Sequence, residues 1–135
     1  MAKNVIMCID DEVTILTSLK AQLKKNFGNQ YLYEFAENAN EAFELIEELV
    51  EEGINVLIIV SDWLMPGTKG DEFLVDVHKK FPNIVKVMLT GQAQEEAIKN
   101  AEKNANLHAC LYKPWSEDDL IDTISSGLRK LSLKK

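Results

Sequence analysis

Residues 56–67 read Val56-Leu57-Ile58-Ile59-Val60-Ser61-Asp62-Trp63-Leu64-Met65-Pro66-Gly67. The first five are apolar, mostly β-branched and not alternating, the pattern of a strand covered on both faces. The run closes on Ser61 and Asp62, and Met65-Pro66-Gly67 then breaks the chain into a turn. A covered strand ending on a carboxylate belongs to a parallel α/β sheet, where functional groups gather at the C-terminal strand ends.

Outward from this stretch, Val5–Ile9, Val85–Leu89 and the less pure Leu107–Tyr112 repeat the pattern. Tyr31–Phe35 alternates more clearly and suits a place near a sheet edge. Helical spacing fills the gaps. Leu16, Leu19, Leu23 and Phe27 mark a first helix, and Ala42, Leu45, Ile46 and Leu49 a second, with Asn40 as its cap. Phe73, Leu74, Val77 and Phe81 mark a third, stopped by Pro82; residues 93–104 form a fourth; Leu120, Ile121, Ile124 and Leu128 mark a fifth. Strand and helix alternate five times, which predicts an α/β fold, (βα)5, with a parallel sheet between two helical layers.

A chain of 135 residues has room for one domain with a proper core, and no repeat or Pro/Ser-rich linker divides it. Fifteen Lys plus Arg against 22 Asp plus Glu leave a net charge of −7. Such a surface repels phosphate backbones and anionic lipid, so neither nucleic acid nor membrane is expected as a direct partner. The N-terminal apolar pentad is too short for a signal peptide or a span. Cys8 and Cys110 both lie in apolar runs, which suits buried free thiols and a cytoplasmic location.

Chemistry gathers at the strand ends. Asp10 and Asp11 follow the first run, Asp62 closes the third strand, Thr90 the fourth and Lys113 the fifth. A parallel sheet brings these ends to one edge. Three carboxylates together repel unless a cation or a raised pKa relieves them. Hard oxygen ligands suit Mg²⁺, and an ammonium and a hydroxyl opposite it suit phosphoryl oxygens. An Asp can itself act as nucleophile toward phosphorus. Asp10 and Asp11 could instead cap the first helix, but capping leaves their meeting with Asp62 and Lys113 unexplained. His78 and His108, without ligand neighbours at metal spacing, read as structural, and Trp63 and Trp115 as packing residues.

Ile9-Asp10-Asp11-Glu12, Ser61-Asp62-Trp63-Leu64-Met65-Pro66 with Gly70, Leu89-Thr90-Gly91 and Tyr112-Lys113-Pro114-Trp115 resemble the four signatures of bacterial two-component receiver domains. The resemblance covers residues 3–130, leaving 131–135 as a tail or the start of a linker. It implies a flavodoxin-like three-layer sandwich with strand order 2-1-3-4-5. It also implies Asp62 as phosphoacceptor, with Mg²⁺ (or Mn²⁺) held by Asp11, Asp62 and the Leu64 carbonyl, and Asp10 acting mainly through water. Thr90 and Lys113 would bind phosphoryl oxygens, and the Lys113-Pro114 bond would be cis. The implied donor is a sensor histidine kinase or a histidine phosphotransfer protein. The implied output is an attached domain or separate partner that reads the fourth helix, fifth strand and fifth helix.

Three positions set this chain apart within that resemblance. Many receivers carry Tyr or Phe three residues before the lysine; here Cys110 stands there, and Tyr112, two places on, should face the same side. Leu64 and Gln92 occupy the positions that flank the approach of a hydrolytic water, which predicts slow self-dephosphorylation. Ala93, Ala97 and Ala101 form a small-residue stripe that suits either an interface or packing against the sheet. The rival reading is a metal-dependent phosphatase of similar α/β fold with an Asp nucleophile. Such enzymes add an acid two residues on, where this chain has Leu64, so a switch rather than a turnover enzyme is expected.

Overall fold

The computed structural model describes residues 3–91 and 95–133. Five strands and five helices alternate along the chain. They are β1 (Asn4–Ile9), α1 (Val13–Phe27), β2 (Leu32–Ala36), α2 (Ala39–Glu51), β3 (Asn55–Asp62), α3 (Gly70–Lys80), β4 (Val85–Thr90), α4 (Glu95–Asn104), β5 (Ala109–Tyr112) and α5 (Glu117–Leu133). All strand pairs are parallel, in the order β2-β1-β3-β4-β5. The order reverses between β1 and β3, and a crevice opens there at the carboxyl ends.

Side-chain alternation splits the interior in two. Ile6 and Cys8 of β1, Ile58 and Val60 of β3, and Val87 and Leu89 of β4 pack on Leu19 and Leu23 of α1 and Leu120 and Ile124 of α5. Val5, Met7 and Ile9, with Ile59 and Met88, face Ala42 and Ile46 of α2, Phe73 and Leu74 of α3 and Ala101 of α4. Both faces of the central strands are therefore dry, which is why their sequences are largely apolar, the buried Lys86 of β4 being held by His78 and the Pro82 carbonyl. None of the described helices is long and apolar enough to cross a membrane.

Several local expectations shift. Asn38, not Asn40, caps α2: its backbone is extended and its side chain accepts from the Glu41 N–H at 2.8 Å. Asn40 falls inside the first turn, and the Ala42 N–H that it would cap already donates to the Asn38 carbonyl at 3.0 Å. β5 starts at Ala109 rather than Leu107, because the Leu107 N–H still bonds the Ala101 carbonyl at the end of α4. The start of the fourth helix and Ala93 lie outside the described residues. Ala101 is fully buried, so that member of the alanine stripe packs in the core. Cys8 is buried as expected, but Cys110 is only half-buried, since β5 is an edge strand with one open flank. Both thiols are free.

Candidate functional site

Two strands, β1 and β3, deliver the acidic groups, and β4 and β5 the hydroxyl and the ammonium. β1 ends into Asp10, whose main-chain N–H donates to Ala36 at the end of β2, 3.2 Å away. Asp11 follows and is exposed. Asp62 is the last residue of β3 and 4% exposed, and Thr90 closes β4 at 1%. The Lys113 N–H donates to the Thr90 carbonyl at 2.8 Å and so ties the end of β5 to β4. The Lys113-Pro114 peptide bond is cis.

The polar side chains meet. Asp10, Asp11 and Asp62 each offer a carboxylate oxygen within 4.8 Å of the others. The Lys113 ammonium bonds Asp10 Oδ2 at 2.9 Å and Asp62 Oδ1 at 3.1 Å. The second oxygen of Asp10 accepts the Glu12 N–H at 2.8 Å. One ammonium shared between two carboxylates, with a third beside them, leaves two negative charges uncompensated. Burial, and then the charge of Asp10, push the Asp62 carboxyl up to about 6 against the pull of Lys113. Burial disfavours the Lys113 ammonium, but its bonds to Asp10 and Asp62 outweigh that and hold its pKa above the usual lysine value. Lys113 is divided between two acids, so Asp62 receives only part of its charge. Hard donors in this number and spacing fit a divalent cation such as Mg²⁺.

Above this cluster a cleft of about 640 Å³ is lined by Asp11, Glu12, Asp62, Leu64, Thr90 and Lys113, among others. It holds every acidic and cationic group the sequence predicts for the site except the buried Asp10. The Leu64 side chain is half exposed at its mouth. Gln92 lies outside the described residues. On β5, Cys110 and Tyr112 face the same side, and Tyr112 is 57% exposed. His78 and His108 sit away from the cleft. His78 Nδ1 lies 2.7 Å from the buried Lys86 ammonium, and His108 Nε2 2.8 Å from the Ser126 hydroxyl.

The first turn of α3 presses on the carboxyl end of β3. Gly70 donates its N–H to the Trp63 carbonyl at 2.7 Å, and a Cβ on Gly70 would stand 2.2 Å from the Asp62 carbonyl oxygen. The next residue, Asp71, escaped sequence reasoning. It is 7% exposed, and its two oxygens accept the Trp63 indole N–H at 3.0 Å and the Asn100 amide at 2.8 Å. The signal was present: Asp71 lies three residues before Leu74, on the apolar stripe of its helix.

The family model of the response regulator receiver domain matches residues 6–125. The hydrogenase transcriptional regulatory protein HoxA of Cupriavidus necator is 29% identical over 129 residues, covering 96% of this chain and 25% of that protein. The chain thus spans about a quarter of that relative's length. A CheY-like receiver domain protein of Methanospirillum hungatei superposes with a TM-score of 0.85 at 28% identity, over 100% of both chains. The beryllofluoride-activated NtrC4 receiver domain gives a TM-score of 0.81 at 27% identity, over 94% of this chain and 98% of that one.

Proposed function

The chain belongs to the response regulator receiver domain family, and from that premise we propose that it takes its phosphoryl group on Asp62. The observation that carries the assignment is the meeting of Asp62 with two further carboxylates and the Lys113 ammonium at one sheet edge. The donor is a phosphohistidine on a sensor kinase or a phosphotransfer protein. An Asp62 oxygen attacks phosphorus in line, the P–N bond breaks toward the imidazole, and an acyl phosphate remains. Lys113 already touches the attacking carboxylate and is placed to follow the negative charge onto a phosphoryl oxygen. Thr90 offers a hydroxyl to another, and moves toward the new charge, biasing α4, β5 and α5.

Asp11, Asp62 and the Leu64 carbonyl would hold Mg²⁺, or Mn²⁺ in its place, and the ion supplies positive charge beside the phosphoryl oxygens when bound. Asp10 has both oxygens engaged, by Glu12 and Lys113. That supports its acting through water and through Lys113 rather than as a direct ligand. Leu64 cannot protonate a leaving group, which weighs against a phosphatase and for a switch without turnover on an outside substrate. Residues 3–130 serve as the receiver, with α5 running on through Leu133. An attached output domain, as the name and length of HoxA suggest, or a separate partner reads the α4-β5-α5 face. The acidic charge keeps this unit itself off nucleic acid. The cytoplasm, where kinases act and thiols such as Cys8 stay reduced, is its place.

The test is mass spectrometry after incubation with acetyl phosphate and Mg²⁺. Wild type gains one phosphoryl group and Asp62→Ala gains none; an undiminished gain in the variant overturns the assignment.

A further inference from the structure

Asp71 is a carboxylate removed from water, and among the described residues it forms no salt bridge. Neutral donors hold it instead, the Trp63 indole on one oxygen and the Asn100 amide on the other. Hydrogen bonds to a charged group are about twice as strong as neutral ones, and a buried carboxylate left without them is costly. Asn100 is itself held, its carbonyl oxygen accepting from the Asn104 amide at 2.7 Å. This geometry joins two parts of the molecule that differ in firmness. On one side, Gly70 locks the first turn of α3 to the backbone of Asp62 and Trp63. The Trp63 N–H also donates to Leu89, the neighbour of Thr90, at 2.9 Å. On the other side, α4 is anchored mainly by small groups, with Ala101 buried and Ala97 and Ile98 half-buried. The bond from Asp71 to Asn100 adds a polar tie between α3 and α4 to the apolar packing of Ala97, Ile98 and Ala101.

We propose that Trp63, Asp71 and Asn100 form a latch that keeps α4 docked on α3 in the unphosphorylated chain and must open when Asp62 is phosphorylated. The inference rests on the assignment of Asp62 as phosphoacceptor. Asp71 is a positioning residue: it acts through Trp63 and α4, not on the phosphoryl group. A contact present in one state and absent in the other taxes the second state, so removing it raises the apparent affinity for whatever selects that state. A contact that only supports the fold has no such effect; its loss lowers stability and leaves affinity unchanged or weaker.

The experiment titrates the full chain with beryllofluoride in the presence of Mg²⁺, reading the binding constant from tryptophan fluorescence. Asn100→Ala, at a half-buried position, is the main variant; Asp71→Ala and the double variant complete a cycle. Both single variants bind beryllofluoride about tenfold tighter than wild type, and the double variant binds no tighter than either. In Asn100→Ala without beryllofluoride, the amides of residues 95–104 exchange with deuterium about tenfold faster, as expected when a tie between α4 and α3 is removed. If Asp71→Ala does not fold, Asn100→Ala decides alone. Wild-type or weaker affinity in Asn100→Ala overturns the latch and leaves Asp62 in place. If wild type itself takes no beryllofluoride, the assignment of Asp62 fails and the latch with it.

Discussion

At the end of β3 burial and the nearby Asp10 push the Asp62 carboxyl up to about 6, well above the 3.8 of an ordinary aspartate. Because the folded chain binds this proton more tightly than the unfolded one, the proton stabilises the fold. That contribution is complete below about 3.8 and is lost as pH rises through about 6. In metal-free buffer, the stability of wild type relative to Asp62→Asn should therefore fall between pH 4 and 7, by up to about 3 kcal/mol. Urea unfolding of both proteins at several pH values in EDTA measures it, and identical pH profiles would contradict it. Adding Mg²⁺ at neutral pH should restore most of the loss, since a cation among the three carboxylates offsets their repulsion. Leu64 acts at the same scale. Its half-exposed side chain covers the cleft mouth with apolar surface and offers nothing to orient a water. Leu64→Asn should hasten decay of the phosphorylated protein by ~10-fold, corresponding to about 1.4 kcal/mol in the barrier. Single-turnover decay after donor removal, with Mg²⁺ present, reads it; a wild-type or slower rate removes Leu64 from that role.

Among the elements, α3 has the least freedom in where it starts. Its first residue must approach the Asp62 carbonyl so closely that only a hydrogen fits on the facing side of Gly70. The obstacle is main chain, which cannot swing aside as the tip of a side chain can. Gly70→Ala should cost at least about 3 kcal/mol. It should also slow phosphorylation, because relief of the clash displaces Asp62 itself. Thermal unfolding and the acetyl phosphate assay report the two effects, and an unchanged rate would show that the strand end does not depend on this contact. α2 shows the opposite tolerance. Its apolar spacing from Ala42 to Leu49 placed the helix well, yet two asparagines competed for the cap, and Asn38 took it because the chain is extended there. Periodicity states which face is buried, not at which residue the backbone turns.

For the molecule as a whole, reversal of strand order between β1 and β3 decides where everything functional lies. The sequence by itself determined the five strands and helices, the parallel sheet and the gathering of Asp10, Asp11, Asp62, Thr90 and Lys113 at one edge. The reason is physical: solvent exclusion writes its period into neighbouring residues, and a parallel sheet sends every strand's last residue to the same side. Family signatures carried the strand order, which no local pattern contains. Tertiary structure alone decided how the charges are shared. Lys113 splits its ammonium between Asp10 and Asp62, which lie 103 and 51 residues away along the chain, so neither acid is fully neutralised. It alone set Cys110 on a half-open flank of an edge strand. It alone brought Asn100 to Asp71 across 29 residues, joining an unremarked acid of α3 to α4. Such pairings depend on the distance and angle between packed helices, quantities that a spacing of residues along the chain does not encode.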